Sequence, residues 1–387
     1  MSTFLFLVQG EGRGHLTQAL SLRQMLHQAG HRVVAMAVGT AQGRTLPTFF
    51  TEACDCPLLT FRSPCLQYNP THHTLDLWRT IGLQVPKALR YAQSAKQVQE
   101  LVTHHQPDVV VNFYEVVGGL WKALYSSPVP MVCVGHQYLF LHPSFRFPPN
   151  QRLQRWLVNL NTRLTAIGAK RLLALSFDEL PSSGKIVVVP PLLRKEVTSY
   201  AVSTQEGYWL AYATLPQLAE DLIAWHREHP NVQIHCFWNH PEHATEWHLH
   251  DGRLVFHPID GAKFLDYMKH CSGLITTAGF ESVCEAMYWD KPVMMIPVPN
   301  HFEQTCNAQD AVRVGAGLQA KSFANLDDFE QYVPQHQSIG LVFKAWQQQS
   351  TRLFVETLAA VAPQRTMYVR LRQTKIRLLE WLRPLGV

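Results

Sequence analysis

The run Thr276-Thr277-Ala278-Gly279-Phe280-Glu281-Ser282-Val283-Cys284-Glu285-Ala286 sets hydroxyls and a glycine just ahead of an amphipathic stretch that reads as a helix. A helix begins with unsatisfied N–H groups and a partial positive charge, so such a start suits phosphate oxygens, and Gly279 lets them approach the backbone. Glu285 falls one to two turns further in, where a carboxylate can accept both hydroxyls of a ribose. The chain continues through the apolar run Lys291 to Pro297 into a polar loop ending His301-Phe302-Glu303-Gln304. Side chains there can hydrogen-bond several hydroxyls of a sugar ring. The bland alternative is that Glu281, Glu285, Glu303 and Gln304 are ordinary exposed helix residues.

Near the start, Phe4–Val8 runs into Gln9-Gly10-Glu11-Gly12-Arg13-Gly14-His15 and then a helix from about Leu16. The three glycines allow a tight turn and close approach of a ligand, which makes this a second anion or sugar site, unless they only serve the turn. The spacing departs from the dinucleotide pattern G-x-G-x-x-G, and no acidic residue closes the strand Arg32–Val38, so nicotinamide chemistry is disfavoured. His15 has an imidazole suited to accepting a proton near neutrality. Glu115, at the end of the strand within PDVVVNFYE, is the other candidate base, or it caps the following helix.

These residues need elements to position them. Short apolar runs alternate with longer amphipathic ones, as in parallel strands joined by helices. The expected strands in the first half are Phe4–Val8, Arg32–Val38, Val109–Val111, Pro130–Val134, Arg171–Leu175 and Ile186–Val189. Helices are expected at Leu16–Gln28, Leu75–His104, Val116–Leu124 and Gln151–Ile167. Pro190 and Pro191 then lead into a polar stretch reaching Gly207, which reads as a linker. The alternation resumes with strands at Tyr208–Tyr212, Val232–Phe237, Leu254–Phe256, Gly273–Thr276 and Pro292–Ile296. Helices follow at Pro216–His229, Ala262–His270, Phe280–Trp289 and Gln304–Val314. The implied fold is α/β, with two doubly wound Rossmann-like domains facing across a cleft, and ligands belong at the carboxyl ends of the strands. Expected boundaries are 1–190 for the first domain, 191–363 for the second and 364–387 for a basic amphipathic C-terminal helix.

The length of 387 residues, 47% apolar and 16% charged residues describe an ordinary globular chain large enough for two cores. A net charge of +5 suits an anionic partner. No apolar run reaches the length of a membrane span and the start lacks a secretory signal, so a cytoplasmic location is expected. Most of the eight cysteines sit in apolar runs and read as reduced core thiols; Cys54, Cys56 and Cys65 lie closer together but lack an evident fourth metal ligand. The histidine-rich stretch His240 to His250 has no helical HxxxH frame and reads as a solvated loop rather than a metal site. Arg365, Arg370, Arg372, Lys375, Arg377 and Arg383, interleaved with apolar residues, could lie on an anionic membrane or dock on the core. Arg152, Arg155, Trp156 and Arg163 form a second basic and aromatic mixture. Nothing resembles a base-reading module, so nucleic acid is not an expected partner.

The two motifs together resemble inverting GT-B glycosyltransferases of the MurG type, including bacterial diglucosyl and plant galactosyl lipid synthases. GEGRGH is similar to their G-x-G-x-G-H element, and TTAGFESVCEAMYWDKPVMMIPVPNHFEQTCNA to their S-x-G-x-x-T-x-x-E-A…P-x-x-x-x-P…E-Q-x-x-N-A element. The resemblance implies that Glu285 holds the donor ribose, that Ser282 and Gly279, with Gly14 and Thr277, lie near the diphosphate, and that Glu303 and Gln304 contact the donor sugar. It places His15 near the reaction centre. Gly12, Arg13, His136 and Gln137 are the expected acceptor side, with VGHQ similar to a His-Glu-Gln element that here lacks its acidic position. A second departure is Ala213-Thr214-Leu215-Pro216 where a glycine- and serine-rich phosphate loop is usual. The implied activity is metal-independent transfer of a hexose or N-acetylhexosamine from a nucleotide diphosphate sugar, a UDP-sugar, to a hydroxyl acceptor that can be lipid-linked. It needs no cofactor, and its location would be cytoplasmic with peripheral contact on the inner face of the plasma membrane. The alternatives are a nucleotide-sugar 2-epimerase and a non-catalytic nucleotide-sugar binding protein.

Overall fold

The structure is a computed structural model and describes all residues except 42, 65–81, 83–87, 200–203, 214–215, 240–244, 250–251 and 364–387. The front of the expected helix from Leu75, together with Cys65, Thr214, Leu215, His240 to His243, His250 and the basic C-terminal segment, therefore lies outside the described residues.

The first domain carries strands β1 (Thr3–Gln9), β2 (Arg32–Thr40), β3 (Leu58–Arg62), β4 (Val109–Phe113), β5 (Met131–Gly135), β6 (Arg171–Leu175) and β7 (Ile186–Val189). The second carries β8 (Tyr208–Ala213), β9 (Gln233–Trp238), β10 (Trp247–Leu249), β11 (Leu254–Pro258), β12 (Gly273–Thr276), β13 (Val293–Met295) and β14 (Gly317–Gln319). Every residue of β4 and β5 is buried, Asn112 of β4 included, as expected of largely apolar strands covered on both faces. The first sheet is parallel in the order β3-β2-β1-β4-β5-β6-β7. The second runs β10-β11-β9-β8-β12-β13-β14, parallel apart from the β10–β11 pair. Strand order reverses between β1 and β4 in one sheet and between β8 and β12 in the other, and those reversals open the crevices in which ligands of such sheets sit.

The helices that matter for the site are α1 (Gly14–Gln28), α2 (Thr48–Ala53), α3 (Ala88–His105), α4 (Val116–Leu124) and α5 (Arg152–Thr165) in the first half. In the second they are α6 (Pro216–Glu228), α7 (Gly261–His270), α8 (Phe280–Tyr288), α9 (Phe302–Arg313), α10 (Gly340–Gln347) and α11 (Ser350–Val361). The two doubly wound domains match the expected fold class. Three strands escape the sequence reading. β3 buries only Phe61 at a sheet edge, β14 is three residues long, and β10 lies inside the histidine-rich stretch expected to be a loop. β10 is fixed there by antiparallel pairing to β11 and by the Trp247 ring stacked 5.7 Å from Trp238.

The domains share one apolar cluster in which Phe4, Val8 and Leu16 join Phe280, Val283 and Phe343. The last described helices return to the first domain. Trp346 of α10 packs in that domain's second cluster and its Nε1 donates to the Ser176 carbonyl at 3.0 Å, while α11 packs on β7. The α4–α5 contact is as close as backbones allow, since a Cβ on Gly119 would stand 1.8 Å from the Leu164 carbonyl oxygen. Gly119→Ala is therefore expected to destabilise the first domain by about 1–3 kcal/mol, the usual cost of overpacking, as a lower midpoint in urea unfolding; an unchanged midpoint would contradict this packing.

Candidate functional site

α1 begins at one reversal point and α8 at the other. Their N-cap residues, Arg13 and Gly279, make no side-chain cap bond. α4, α7 and α9 are capped by Glu115, Asp260 and His301, while α2, α5, α10 and α11 also lack a side-chain cap but do not start at a reversal point. An uncapped helix start keeps its N–H groups and partial positive charge for a ligand, so both cleft walls present an anion-attracting end. The turns that aim them are tight. Gly10 N donates to the Gly39 carbonyl at 2.8 Å, and a Cβ on Gly10 would lie 2.6 Å from that oxygen. Ala278, just before α8, holds φ +56°, a left-handed conformation that a non-glycine residue keeps only when its surroundings enforce it. Asn307 of α9 supplies that enforcement by donating Nδ2–H to the Ala278 carbonyl at 3.2 Å.

Around α8, Thr277 is buried, and the Ser282 hydroxyl turns back to the Gly279 carbonyl at 3.1 Å and lies 3.4 Å from Thr276 Oγ1. Glu285, 2% exposed, faces Arg194 in a two-pronged pair, with Arg194 Nε and Nη2 donating to Oε1 and Oε2 at 2.6 Å each. Arg194 comes from the interdomain segment and is a site residue that the motifs did not reveal. Its signal was a single arginine following Pro190-Pro191-Leu192-Leu193, directly before the second domain. A Cβ placed on Gly261 would lie 3.6 Å from Arg194 Nη1 and 4.0 Å from Arg13 Nη1, so two guanidinium groups meet at the start of α7. Arg13 and Gly12 are exposed at the rim, where the Arg13 guanidinium sits 5.0 Å over the Phe49 ring of α2. Gly14 rests against the Glu281 side chain.

His15 lies inside the first turn of α1, 8% exposed, with Nδ1 3.1 Å from Gln18 Oε1 and Nε2 3.5 Å from Gln137 Nε2. Burial lowers its pKa to about 4, below the near-neutral value expected from the sequence, so the ring is neutral at physiological pH. The opposite wall reaches it through two amides. Gln18 Nε2 donates to Glu281 Oε1 at 2.5 Å, and Gln137 Nε2 donates to Glu303 Oε1 at 3.0 Å. Burial pushes the Glu281 carboxyl up to about 8 and that of Glu303 up to about 7. The Gln304 side chain is turned away, its Oε1 accepting from Val298 N at 2.8 Å.

Two further expected site residues, Glu115 and His136, are held by bonds within the first domain. Glu115 is fully buried at the head of α4, where Oε1 accepts from Val117 N at 2.9 Å and from Ser63 Oγ at 2.6 Å. Its backbone is pinned by Asn112, whose Oδ1 accepts from Glu115 N at 2.9 Å. Burial raises its carboxyl pKa to about 7. His136 sits in the interdomain packing, with Nδ1 2.8 Å from the Leu175 carbonyl and its ring stacked 4.1 Å from Phe280, rather than on the open cleft.

Among the described residues, no group of three or more His, Cys, Asp or Glu side chains is placed to hold a metal ion. Cys54 and Cys56 bring their sulfurs to 3.6 Å, and the other described cysteines are buried free thiols.

The profile of glycosyl transferase family 1 matches residues 2–335. The chain belongs to glycosyl transferase family 1. It is an enzyme of sugar transfer, and the two-domain GT-B architecture agrees with its structural neighbours. The chain is similar to Phytolacca americana UGT2 complexed with UDP-2fluoro-glucose and pterostilbene, at 12% identity and TM-score 0.63 over 94% of this chain and 100% of that one. It is similar to MurG of Acinetobacter baumannii at 15% identity and TM-score 0.54, over 93% of this chain and 100% of that one. The glycotransferase of kitacinnamycin is similar at 15% identity and TM-score 0.61, over 94% of this chain and 99% of that one. No curated protein matches the chain.

The pair formed by Arg194 and Glu285 makes a direct prediction for this glycosyltransferase. Arg194→Ala leaves a carboxylate that is 2% exposed without its partner, so unfolding in urea should show a loss of about 3–5 kcal/mol, reduced in proportion to the solvent that reaches the arginine. A loss under about 1 kcal/mol would mean that solvent already screens the pair.

Proposed function

We propose that the protein is an inverting, metal-independent transferase that moves a hexose or N-acetylhexosamine from a UDP-sugar to a hydroxyl acceptor. The observation that carries this reading is the pair of uncapped helix starts with the neutral His15 between them. In the proposed reaction, the diphosphate binds the N–H groups at the start of α8, flanked by Thr277 and Ser282, with Gly14 on the facing wall. The ribose hydroxyls take over Glu285, and the displaced Arg194 guanidinium turns to the diphosphate beside Arg13, doing the work of the missing glycine- and serine-rich loop after β8. Glu303 orients the sugar hydroxyls, and Gln304 braces the loop beside it through Val298 N.

The acceptor hydroxyl gives its proton to His15 Nε2 while its oxygen attacks the anomeric carbon from the side opposite the diphosphate. The carbon–oxygen bond to the diphosphate breaks, and the nucleoside diphosphate leaves with the negative charge that the α8 dipole and the guanidinium groups stabilise. In this reading Glu115 caps α4 through Val117 N rather than serving as the base, its Oε1 being held also by Ser63 after β3. A UDP-sugar donor is supported by the similar plant structures, which were determined with UDP-2fluoro-glucose and UDP-glucose. An epimerase would convert UDP-N-acetylglucosamine without any acceptor, and a non-catalytic binder would convert nothing.

His15→Ala should lower turnover by about 10²–10⁴ while leaving the affinity for UDP unchanged. Wild-type turnover in that variant would remove His15 from the mechanism. The product of an α-linked donor should carry a β-glycosidic bond by NMR, and retention of configuration would overturn the direct displacement.

A lipid-linked acceptor on an anionic membrane is the reading we favour for the acceptor side, because of α5. No described helix is long and apolar enough to cross a membrane, but α5 presents Leu153, Trp156, Leu160 and Leu164 at 52%, 59%, 39% and 41% exposure, with Arg152, Arg155 and Arg163 among them. The arginines, Trp156, Asn159 and Leu160 line a groove of about 400 Å³. Arg155 lies 4.3 Å over Phe147, which stacks on Phe302 of the facing domain, so this groove adjoins the mouth of the cleft. Apolar side chains flanked by arginines match the acyl and headgroup layers of an anionic bilayer. Trp156→Asp combined with Leu160→Asp should abolish flotation with phosphatidylglycerol vesicles while leaving UDP binding intact. Equal flotation of both proteins, or none with the wild type, would remove the membrane from the account.

A further inference from the structure

Gln18 follows His15 by three residues, 3% exposed, and touches both cleft walls. An amide has one donating end and one accepting end. Its donating end is taken by Glu281 Oε1 of the facing domain at 2.5 Å, so its oxygen must be the atom facing His15 Nδ1 at 3.1 Å. An oxygen there demands a proton on Nδ1. That leaves the lone pair on Nε2, whose polar neighbour, Gln137 Nε2, stands off at 3.5 Å while it donates to Glu303. We propose that Gln18 and Glu281 are positioning residues that fix His15 as its Nδ1–H tautomer, so that the base is set only when the donor domain closes on the acceptor domain.

This rests on His15 being the base. Glu281 sits in the first turn of α8, the helix start assigned to the diphosphate, so donor binding and orientation of the base act on the same turn. Burial favours a proton on the Glu281 carboxyl, and its Oε2, buried without a partner, is the oxygen left to carry it. Oε1 thus remains the acceptor for Gln18 in either protonation state. The other titratable groups facing His15 are Tyr114, stacked at 5.8 Å, and Glu303 beyond Gln137. As the acceptor proton reaches Nε2, Nδ1–H stays bonded to Gln18, whose amide oxygen faces the imidazolium.

The alternative is that the Gln18–Glu281 bond only latches the domains, and exchanging the two groups separates these roles. Glu281→Gln preserves a hydrogen bond across the cleft but lets both amides turn over. It should lower kcat by about 10–100-fold, the usual effect of losing a group that orients a functional histidine. Gln18→Glu combined with Glu281→Gln places a carboxylate directly on Nδ1 and should restore most of kcat. Because that carboxylate favours imidazolium, the acid limb of the kcat profile, set in the parent by a His15 pKa of about 4, should move to higher pH. Wild-type kcat in Glu281→Gln, or an exchanged variant that recovers without moving its acid limb, would overturn the proposal. Full activity in His15→Ala would instead defeat the underlying reading of the base.

Discussion

A helix start left uncapped at a sheet's reversal point is the constraint around which this protein is arranged. Capping groups are common and stabilise helix starts, and this chain supplies them to α4, α7 and α9. At α1 and α8 it does not. The N–H groups and dipoles kept there are what a diphosphate recognises, and the chain forgoes roughly 1 kcal/mol of capping stability at Arg13 and about a few tenths at Gly279. Left-handed Ala278, tied by Asn307, aims one of them, and the close Gly10–Gly39 approach aims the other.

The two walls are joined by polar contacts as well as by packing. Gln18 meets Glu281, Gln137 meets Glu303, and Arg313 clasps Asp178 with two hydrogen bonds of 2.7 Å. His136 stacks on Phe280 behind them, and α10 and α11 carry the end of the described chain back to the first domain. Burial raises the Glu281 and Glu303 carboxyls, so the cleft carries less negative charge than its composition suggests, which favours an anionic ligand.

Much of this was legible in the sequence, because β1, β4 and β5 are largely apolar runs and the glycine loop and the TTAGFESVCEA run each stand between a strand and a helix. Both motifs lie where the strand order reverses. What escaped was set by distant partners. β10 and β14 are three-residue strands held by their neighbours in the sheet. Arg194 gains its meaning from Glu285, 91 residues later, and Gln18 from Glu281, 263 residues later. Glu115 illustrates the converse: its position at a strand end suited both a base and a cap, and only Ser63 and Val117 show which bonds it makes.

The central claim is that the start of α8 holds the diphosphate and that Glu285 exchanges its arginine for a ribose. A crystal structure of the protein with UDP tests it most directly. The account predicts diphosphate oxygens within hydrogen-bond distance of the first backbone amides of α8, both ribose hydroxyls on Glu285, and Arg194 released towards the phosphates. A nucleotide bound elsewhere, or bound with the pair between Arg194 and Glu285 intact, would contradict it.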